Sequence, residues 1–397
     1  MNTAPETMSA KAPRIESVDL LRGLIMVVMA LDHVRDYFHF GAIQGADPLD
    51  LATTTPWIFF TRWITNYCAP LFSFLAGTGT YFSVIRGKPK RELSWFLVTR
   101  GLWLIFLELT IFVWFGWKFA ITPNDYILAT LWALGWGMIV LAGLIHLPEW
   151  VVAAFGLALI LGHNAFDGVK PADLGALAPL WVVVHTGGRL ALGTNITVLA
   201  FYPLVPWVGV MAAGYSFGAI YRLEPMVRRR WLFRLGLALT IGFVALRYSN
   251  LYGNPSPWVA QRNPLFTVLS FLDCQKYPPS LCYLLMTVGP GLLLLAWFEG
   301  GTPALLRPFI VFGRVPMFYY LLHVPLIHGL SVLLNRIRFG GGDFNAIAPS
   351  GPPPADAGVS LVATCVIWIL IVAALYPACR WFADLKRRRR EAWLTYF

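Results

Sequence analysis

The chain has 397 residues and a formal net charge of +11, with 57% hydrophobic and only 13% charged residues. An ordinary soluble domain has roughly 25% charged residues, so this composition excludes a soluble globular protein of this length. The mean hydropathy of +0.63 and the 28 Phe and 17 Trp residues instead indicate an integral membrane protein, because large aromatic rings favour lipid and its interfaces.

Ten apolar segments follow one another along the chain, most of them close to the roughly 20 residues that cross a bilayer. A crossing segment must be helical, because unpaired backbone groups are costly in lipid. We therefore predict an all-α, polytopic membrane protein with ten transmembrane helices; eleven is the alternative count. The fifth segment is short, so it is expected either to be re-entrant or to continue into the next loop. The segments are Leu20–Phe40, Trp63–Val84, Trp95–Trp117, Tyr126–His146, Trp150–Gly162, Thr197–Tyr221, Leu232–Tyr248, Ser280–Phe298, Phe309–Leu334 and Val359–Phe382.

Clusters of Lys and Arg set the predicted orientation, because these residues are enriched on the cytoplasmic side of a membrane. With ten spans, the clusters next to the first, second, sixth and last spans all fall on one side. We therefore predict cytoplasmic termini, with a tail over residues 1–17, a single transmembrane domain over 18–385 and a basic tail over 386–397. The clusters comprise Lys11, Arg14, Arg86, Lys88, Lys90, Arg91, Arg222, Arg228, Arg229, Arg230, Lys386 and Arg387–Arg390.

The positive charge predicts contact with anionic membrane lipids and no binding of nucleic acid, because the basic residues form no single face with interleaved aromatic residues. The His residues lack the spacing of a zinc site, so we predict no metal. Cys274 and Cys282 could approach each other, but small buried residues are the preferred interpretation of the five scattered cysteines. The segment Gly340–Gly358, rich in Gly, Pro and Ala, is predicted to be flexible.

Ionisable side chains inside a membrane span are costly and mark functional candidates. The first span carries the densest set: Asp32, Arg35, Asp36 and His39 are three or four residues apart and share one helical stripe, with His33 beside it. One interpretation is an ion-pair network that only joins helices. The other is that a His of this stripe is a general base oriented by a carboxylate, because His exchanges a proton near neutral pH.

The ninth span and the outer loops add further candidates. Arg314 lies near the predicted cytoplasmic end of the ninth span, and His323 and His328 lie progressively further out; packing and function are both open interpretations of these two His residues. Glu108 and Arg62 lie in apolar context and are expected to pair with each other or with a substrate. The outer-loop candidates are His163, Asn164, Asp167, His185, Asp273, Lys276 and Tyr277.

Several segments of the chain carry combinations of residues that can be compared with those of known enzyme families. The signatures of P-loop enzymes, zinc proteases, dinucleotide-binding proteins and serine hydrolases are missing from the sequence. The patterned segments are Arg14–Gly23 with Met29–His33, Asn66–Gly77, Gly313–Arg314 through Tyr320 to His323, Tyr202–Trp207 and Lys276–Leu281. They resemble heparan-α-glucosaminide N-acetyltransferase-type proteins, which belong to a wider set of transmembrane acyltransferases, and the resemblance covers most of the chain.

The resemblance implies that acetyl-CoA binds from the cytoplasm and that its acetyl group passes to an amine or hydroxyl of a sugar or envelope glycan on the other side. The eukaryotic branch has Asn where this chain has His33, with its catalytic His further along; His39 is the nearest candidate here. Transfer is either direct or through an acetyl-His intermediate. Expected roles are catalysis for Asp32, His33, His39 and His323; cofactor binding for Arg22, Arg314, Asn66 and Tyr320; and substrate binding for Arg35, Asp36, His163, Asn164, Asp167, Lys276, Tyr277 and His328.

Two other functions remain open at this point. A transporter or flippase would also carry intramembrane charges and His residues, although transporters often show internal repeats and we find none here. A structural or assembly protein would leave the Asp32–His39 stripe as a helix-joining network. The expected location is the bacterial inner membrane, and the arrangement of subunits, including a homodimer, is left open.

Overall fold

The structure, a computed structural model, describes residues 15–122, 124–389 and 391–397. Most of the predicted N-terminal tail, with Lys11 and Arg14, and also Arg390 of the C-terminal run lie outside these residues.

Helices dominate the described part of the chain. Its α-helices are α1 Glu16–Phe38, α2 Phe40–Ile43, α3 Pro56–Thr65, α4 Cys68–Ile85, α5 Lys90–Leu107, α6 Thr130–Leu144, α7 Glu149–Gly162, α8 Ala178–Trp181, α9 Leu204–Phe217, α10 Pro225–Ser249, α11 Pro264–Leu272, α12 Leu281–Phe298, α13 Phe309–Arg314, α14 Pro316–Phe339 and α15 Leu361–Arg388. Two π-helical segments, Glu108–Trp117 and Val182–Thr186, extend α5 and α8. Short 3-10 segments are His163–Phe166, Pro171–Leu177, Gly218–Arg222, Ala304–Leu306 and Ala392–Tyr396.

Eight helical segments among the described residues are long and apolar enough to cross a membrane. The protein is therefore a polytopic membrane protein. Two further predicted spans correspond to α1, which has 23 residues but carries many charges, and to α6, which has 15 residues. The total of ten spans and the cytoplasmic location of the termini remain predictions. The predicted fifth span extends to 18 residues when the 3-10 turn after α7 is included.

The helix α1 crosses α13 with their backbones in contact. A Cβ atom at Gly23 would lie 1.8 Å from the carbonyl oxygen of Phe309, and a Cβ atom at Gly313 would lie 1.7 Å from that of Asp19. Glycine is required at both positions, because close helix crossings in membranes depend on small residues. This crossing brings the Arg22 end of α1 against the helix pair α13–α14.

The ninth predicted span is two helices, because Pro316 interrupts it. Val315, between α13 and α14, has an extended φ of −133°. Proline has no backbone N–H to donate and disfavours helical geometry in the preceding residue. The break places Arg314 at the end of α13, while His323 and His328 lie on α14.

The prediction of an all-α protein was wrong in one detail, because a three-stranded sheet lies near the His33 end of α1. Strands β1 (Asp125–Leu128), β2 (Gly188–Leu192) and β3 (Ile196–Ala200) have the order β1-β3-β2. Strand β3 pairs parallel to β1 and antiparallel to β2. Two predicted spans therefore begin as strands, since short apolar runs cannot be distinguished from buried helix by periodicity.

The segment Gly340–Gly358, predicted to be flexible, has no regular secondary structure but is tied to the helices. The Ala346 N–H donates to the Asp36 carbonyl oxygen at 2.9 Å, and Arg338 donates to the Gly358 carbonyl oxygen at 2.7 Å. Asn345 is buried. The segment therefore forms part of the wall of the cavity described below.

Candidate active site

A cavity of about 560 Å³ opens at the His33 end of α1. Its walls come from α1, α3, α4, the end of the first π-helix, the loop before α12 and the Gly340–Gly358 segment. Of the residues expected to act in catalysis or binding, the structure brings seven to this cavity: Asp32, His33, Arg35, Asp36, Lys276, Tyr277 and Tyr320.

Asp32 is the centre of an ion-pair network between α1 and α3. Its carboxylate accepts from Arg35 at 2.5 Å, from Arg62 at 2.6 Å and from the Thr65 hydroxyl at 2.9 Å. Arg35 also donates to Asp36 at 2.8 Å. The predicted helical stripe therefore does join its acidic and basic members, and a second guanidinium from α3 completes it. Both oxygens of Asp32 are occupied by these donors.

The imidazole of His33 lies in the cavity wall between two other rings. Its centroid is 5.4 Å from that of Trp117 and 5.2 Å from that of His323. Within the described residues, the Nδ1 of His33 and the Nε2 of His323 are buried without a hydrogen-bond partner. The Nδ1 of His323 lies 3.0 Å from the Tyr319 carbonyl oxygen, so this nitrogen carries the proton and Nε2 presents its lone pair.

Aromatic hydroxyls and one ammonium complete the cavity wall. Tyr320 stacks on Phe112 with centroids 4.9 Å apart and contacts the His323 ring edge-on at 5.5 Å. The rings of Tyr277 and Tyr202 are 5.4 Å apart. Lys276 is buried, with its Nζ 5.2 Å from the centre of the Tyr277 ring. The cavity therefore combines a proton-accepting imidazole with several hydrogen-bond donors.

A second cavity, of about 740 Å³, lies at the other end of α1. Arg22 and Arg314, two of the residues expected to bind the cofactor, both line it, together with Arg86 and Arg228. Eleven residues separate Arg22 from His33, which is about 16 Å along a helix. The basic clusters after the second and sixth predicted spans thus meet at one end of the bundle.

Acidic residues in the second cavity balance only part of this charge. Arg228 forms an ion pair with Glu299, and Arg22 contacts Asp19 at 3.4 Å. Arg314 is 37% exposed, and its nearest carboxylate oxygen, on Asp19, is 3.9 Å away. The cavity can accommodate an anionic group at Arg314, because guanidinium donors suit phosphate oxygens.

Four other candidates do not line the first cavity. His39 ends α1 in an extended conformation and bridges to Val359. The remaining three form a separate cluster, in which Asn164 donates to Asp167 at 2.8 Å and accepts from the backbone N–H of Leu281 at 2.9 Å. His163 belongs to the same cluster, with its ring 6.0 Å from that of His185. These residues hold the start of α12, just after the Lys276 loop.

Two expected binding residues are buried behind the cavity wall. The backbone oxygen of Asn66 accepts from the Tyr283 hydroxyl at 2.7 Å, so Asn66 lies between α3 and α4 and against α12. His328 is fully buried and contacts Asp343 at 2.7 Å. Sequence position alone could not separate these residues from the cavity wall, because each lies within one or two helical turns of a residue that does line it.

The expected pairing of Glu108 with Arg62 does not occur. Arg62 binds Asp32, whereas the buried Glu108 accepts from the backbone N–H of Leu131 at 2.7 Å and from the Trp117 indole N–H at 3.4 Å. Glu108 thus caps α6 and fixes Trp117 beside His33. Neither Trp117 nor Thr65 can be predicted as a site residue from the sequence, because a single Trp or Thr in an apolar run carries no distinguishing signal.

At the mouth of the cavity, outside the spans, burial raises the pKa of the Asp273 carboxyl to about 6, although the nearby Arg247 lowers it. Burial lowers the pKa of His185, with Asp167 acting in the opposite direction. All five cysteines are free thiols. No group of three or more His, Cys, Asp or Glu side chains in the described ranges is arranged to hold a metal ion.

The sequence profile of the heparan-alpha-glucosaminide N-acetyltransferase catalytic family matches residues 14–246. The chain belongs to this family. At the general level that the family defines, the protein is therefore a membrane acetyltransferase. The match includes Arg22, Asp32, His33 and Arg62 and ends within α10, so it does not extend to α14. No curated protein matches the chain significantly.

Proposed function

We propose that the protein transfers an acetyl group from cytoplasmic acetyl-CoA to an amine or hydroxyl of a sugar or envelope glycan on the opposite face of the bacterial inner membrane. The observation that supports it most is the position of two unlike cavities at the two ends of α1. One is lined by four arginines, and the other contains His33 and an ion-pair network.

The arginine cavity is the proposed entry site for the donor. Arg22 and Arg314 would hold CoA phosphates, because planar guanidinium groups bind phosphate oxygens with two parallel hydrogen bonds. The 3.9 Å separation of Arg314 from Asp19 leaves its guanidinium able to reorient toward a ligand. The bound thioester supplies an activated acetyl group, and the arm that carries it would have to span the roughly 16 Å between Arg22 and His33.

His33 is the proposed general base. It accepts the proton of the acceptor amine or hydroxyl while the new C–N or C–O bond forms and the C–S bond breaks, with the thiolate as leaving group. General base catalysis of this kind contributes typically about 10²- to 10⁴-fold in rate. Asp32 acts on His33 through its charge, because both of its oxygens accept from Arg35, Arg62 and Thr65.

The donors in the cavity wall would stabilise the negative charge that develops on the thioester oxygen during transfer. Tyr320 and Lys276 line the cavity from α14 and from the loop before α12. A preorganised donor aimed at such an oxygen typically contributes about 3 to 4 kcal/mol. Asp36 and Tyr277, which also line this cavity, would contact the acceptor.

The test is acetyl-CoA binding and turnover by purified protein in detergent. Radiolabelled acetyl-CoA is added and CoA release is followed with and without a panel of amino sugars. We expect saturable binding and acceptor-dependent CoA release that is lost in His33→Ala and retained in His146→Ala, which changes an exposed His. Absence of binding by folded protein would contradict the proposal and favour a transporter.

A further inference from the structure

His328 contacts two acceptors at once from a fully buried position on α14. Its Nδ1 lies 2.7 Å from the carbonyl oxygen of Gly116, and its Nε2 lies 2.7 Å from a carboxylate oxygen of Asp343. The ring of Phe119 stacks on it with centroids 4.0 Å apart, and the Tyr37 ring lies 4.8 Å away. His328 therefore has no room to rotate and no open side toward the cavity.

The two contacts fix where protons are held. A carbonyl oxygen only accepts, so the Nδ1 of His328 carries a proton. The contact with Asp343 needs a second proton, because a lone pair on Nε2 would otherwise face a carboxylate oxygen. His328 and Asp343 therefore share this second proton, and both ring nitrogens of His328 have a hydrogen-bond partner.

The contact of His328 with Gly116 connects this pair to His33. Gly116 is followed by Trp117, whose ring is 5.4 Å from that of His33. The π-helix ends here, and Phe119 has a left-handed φ of +44°, which is costly for a residue with a side chain. The His328 hydrogen bond to Gly116 thus stabilises the strained chain end that carries Trp117.

The contact with Asp343 connects His328 to another part of the cavity wall. The second oxygen of Asp343 accepts from the Asn345 amide at 2.8 Å. The Asn345 side-chain oxygen accepts from the backbone N–H groups of Ile347 and Ala348, both at 2.8 Å. Ile347 and Ala346 line the cavity. Besides the Arg338 bond to Gly358, the Asp343 carboxylate therefore attaches the Asp343–Ala348 part of the segment to His328 on α14.

We propose that His328 and Asp343 are a positioning pair for acyl transfer, which holds Trp117 and the Ile347 wall at a fixed separation around His33. The inference rests on the proposed function, but the pair lies outside the cavity and does not touch the reacting atoms. A displacement of about 1 Å of catalytic groups can lower rates by about 100-fold, so loss of the pair should be visible in turnover.

The first test compares His328→Leu, Asp343→Leu and Asp343→Asn. In both Leu variants we expect acceptor kcat/KM to fall by roughly 100-fold, while acetyl-CoA binding at the Arg22 end stays unchanged. Asp343→Asn can donate to the His328 Nε2 lone pair and still accept from Asn345, so it should restore most of the turnover. Equal loss in Asp343→Asn and Asp343→Leu would overturn the proposal, as would unaltered turnover in His328→Leu.

Two readouts are independent of turnover. In ¹⁵N-histidine-labelled protein, the His328 signal, assigned by its loss in His328→Leu, should show a protonated Nδ1; an unprotonated Nδ1 would overturn the proposal. The second readout is labelling of Ile347→Cys by a membrane-impermeant maleimide, which should accelerate when His328→Leu is added. Unchanged labelling would overturn the proposal. If wild-type protein failed to bind acetyl-CoA, the proposed function would fail, while the Nδ1 signal and the labelling rate would still decide whether the pair positions the cavity wall.

Discussion

The imidazole rings of His33 and His323 lie 5.2 Å apart, one on α1 and the other on α14. His323 donates from Nδ1 to the Tyr319 carbonyl oxygen, so its unpaired Nε2 is a fixed acceptor close to His33. His33 lines the cavity, whereas His323 is fully buried behind it. Under the proposed function we therefore expect different roles, in which His33 meets the substrate and His323 orients the His33 ring.

The two histidines should therefore respond differently to substitution. His33→Gln should lower kcat by about 10²- to 10⁴-fold, the usual contribution of a general base, with acetyl-CoA binding unchanged. His323→Gln should lower kcat less, because its amide still donates and accepts beside His33. Steady-state kinetics of both variants would check this order. A larger loss in His323→Gln than in His33→Gln would contradict the assignment.

The Asp32–Arg62 pair should make a large contribution to stability. Removing one member of a buried ion pair costs roughly 3 to 5 kcal/mol, because the other charge is left uncompensated. Arg62→Leu should therefore lower the thermal unfolding midpoint clearly, and the double variant with Asp32→Leu should lower it less than the sum of the two. The matched control is Lys118→Leu, which breaks a 2.9 Å pair with the 46% exposed Asp125 side chain; such pairs contribute at most about 1 kcal/mol.

Arg314 should govern the affinity for the donor. Loss of one charge-assisted hydrogen bond costs about 1.5 to 3 kcal/mol, so Arg314→Gln should raise the Kd for acetyl-CoA by roughly 10- to 100-fold. Arg189→Gln, on the exposed strand β2 at the opposite end, serves as the control and should leave this Kd unaltered. Isothermal titration in detergent measures both. Equal affinities of wild type and Arg314→Gln would remove Arg314 from the donor site.

Asp273 should make stability depend on pH. Its folded-state pKa of about 6 lies above the ordinary value of 3.8, so the folded protein binds this proton more tightly than the unfolded chain. Stability is therefore lost as pH rises from about 4 to 6, by roughly 3 kcal/mol at most. Asp273→Asn should raise the unfolding midpoint at pH 8 and leave it nearly unaltered at pH 4. Glu92→Gln, an exposed carboxylate, should raise it at neither pH.

The sequence predicted the general architecture and two parts of the site for identifiable reasons. Apolar segments of spanning length indicated the bundle, and helical spacing indicated that Asp32, Arg35 and Asp36 would interact along α1. Arg22 and Arg314 were expected to act together through the family resemblance, and they line one cavity. These features are local, or are carried by motifs, so the sequence alone shows them.

The rest depends on tertiary contacts that no spacing reveals. Arg62 meets Asp32 only because α3 packs against α1. His39 is in register with the α1 stripe, but the helix ends one residue earlier and the chain turns to pair with Val359. The strands around Tyr126 and Thr197 pair across a long stretch of chain. Periodicity within one segment contains no information on such partners.

Side-resolved transfer in proteoliposomes tests the central proposal most directly. Radiolabelled acetyl-CoA is supplied on the side that exposes the Arg22 cavity, and an amino-sugar acceptor is enclosed on the side that exposes the His33 cavity. We expect labelled acceptor inside the vesicles with wild-type protein and none above background with His33→Ala. Labelling that persists in His33→Ala, or that occurs only when donor and acceptor share one side, would contradict it.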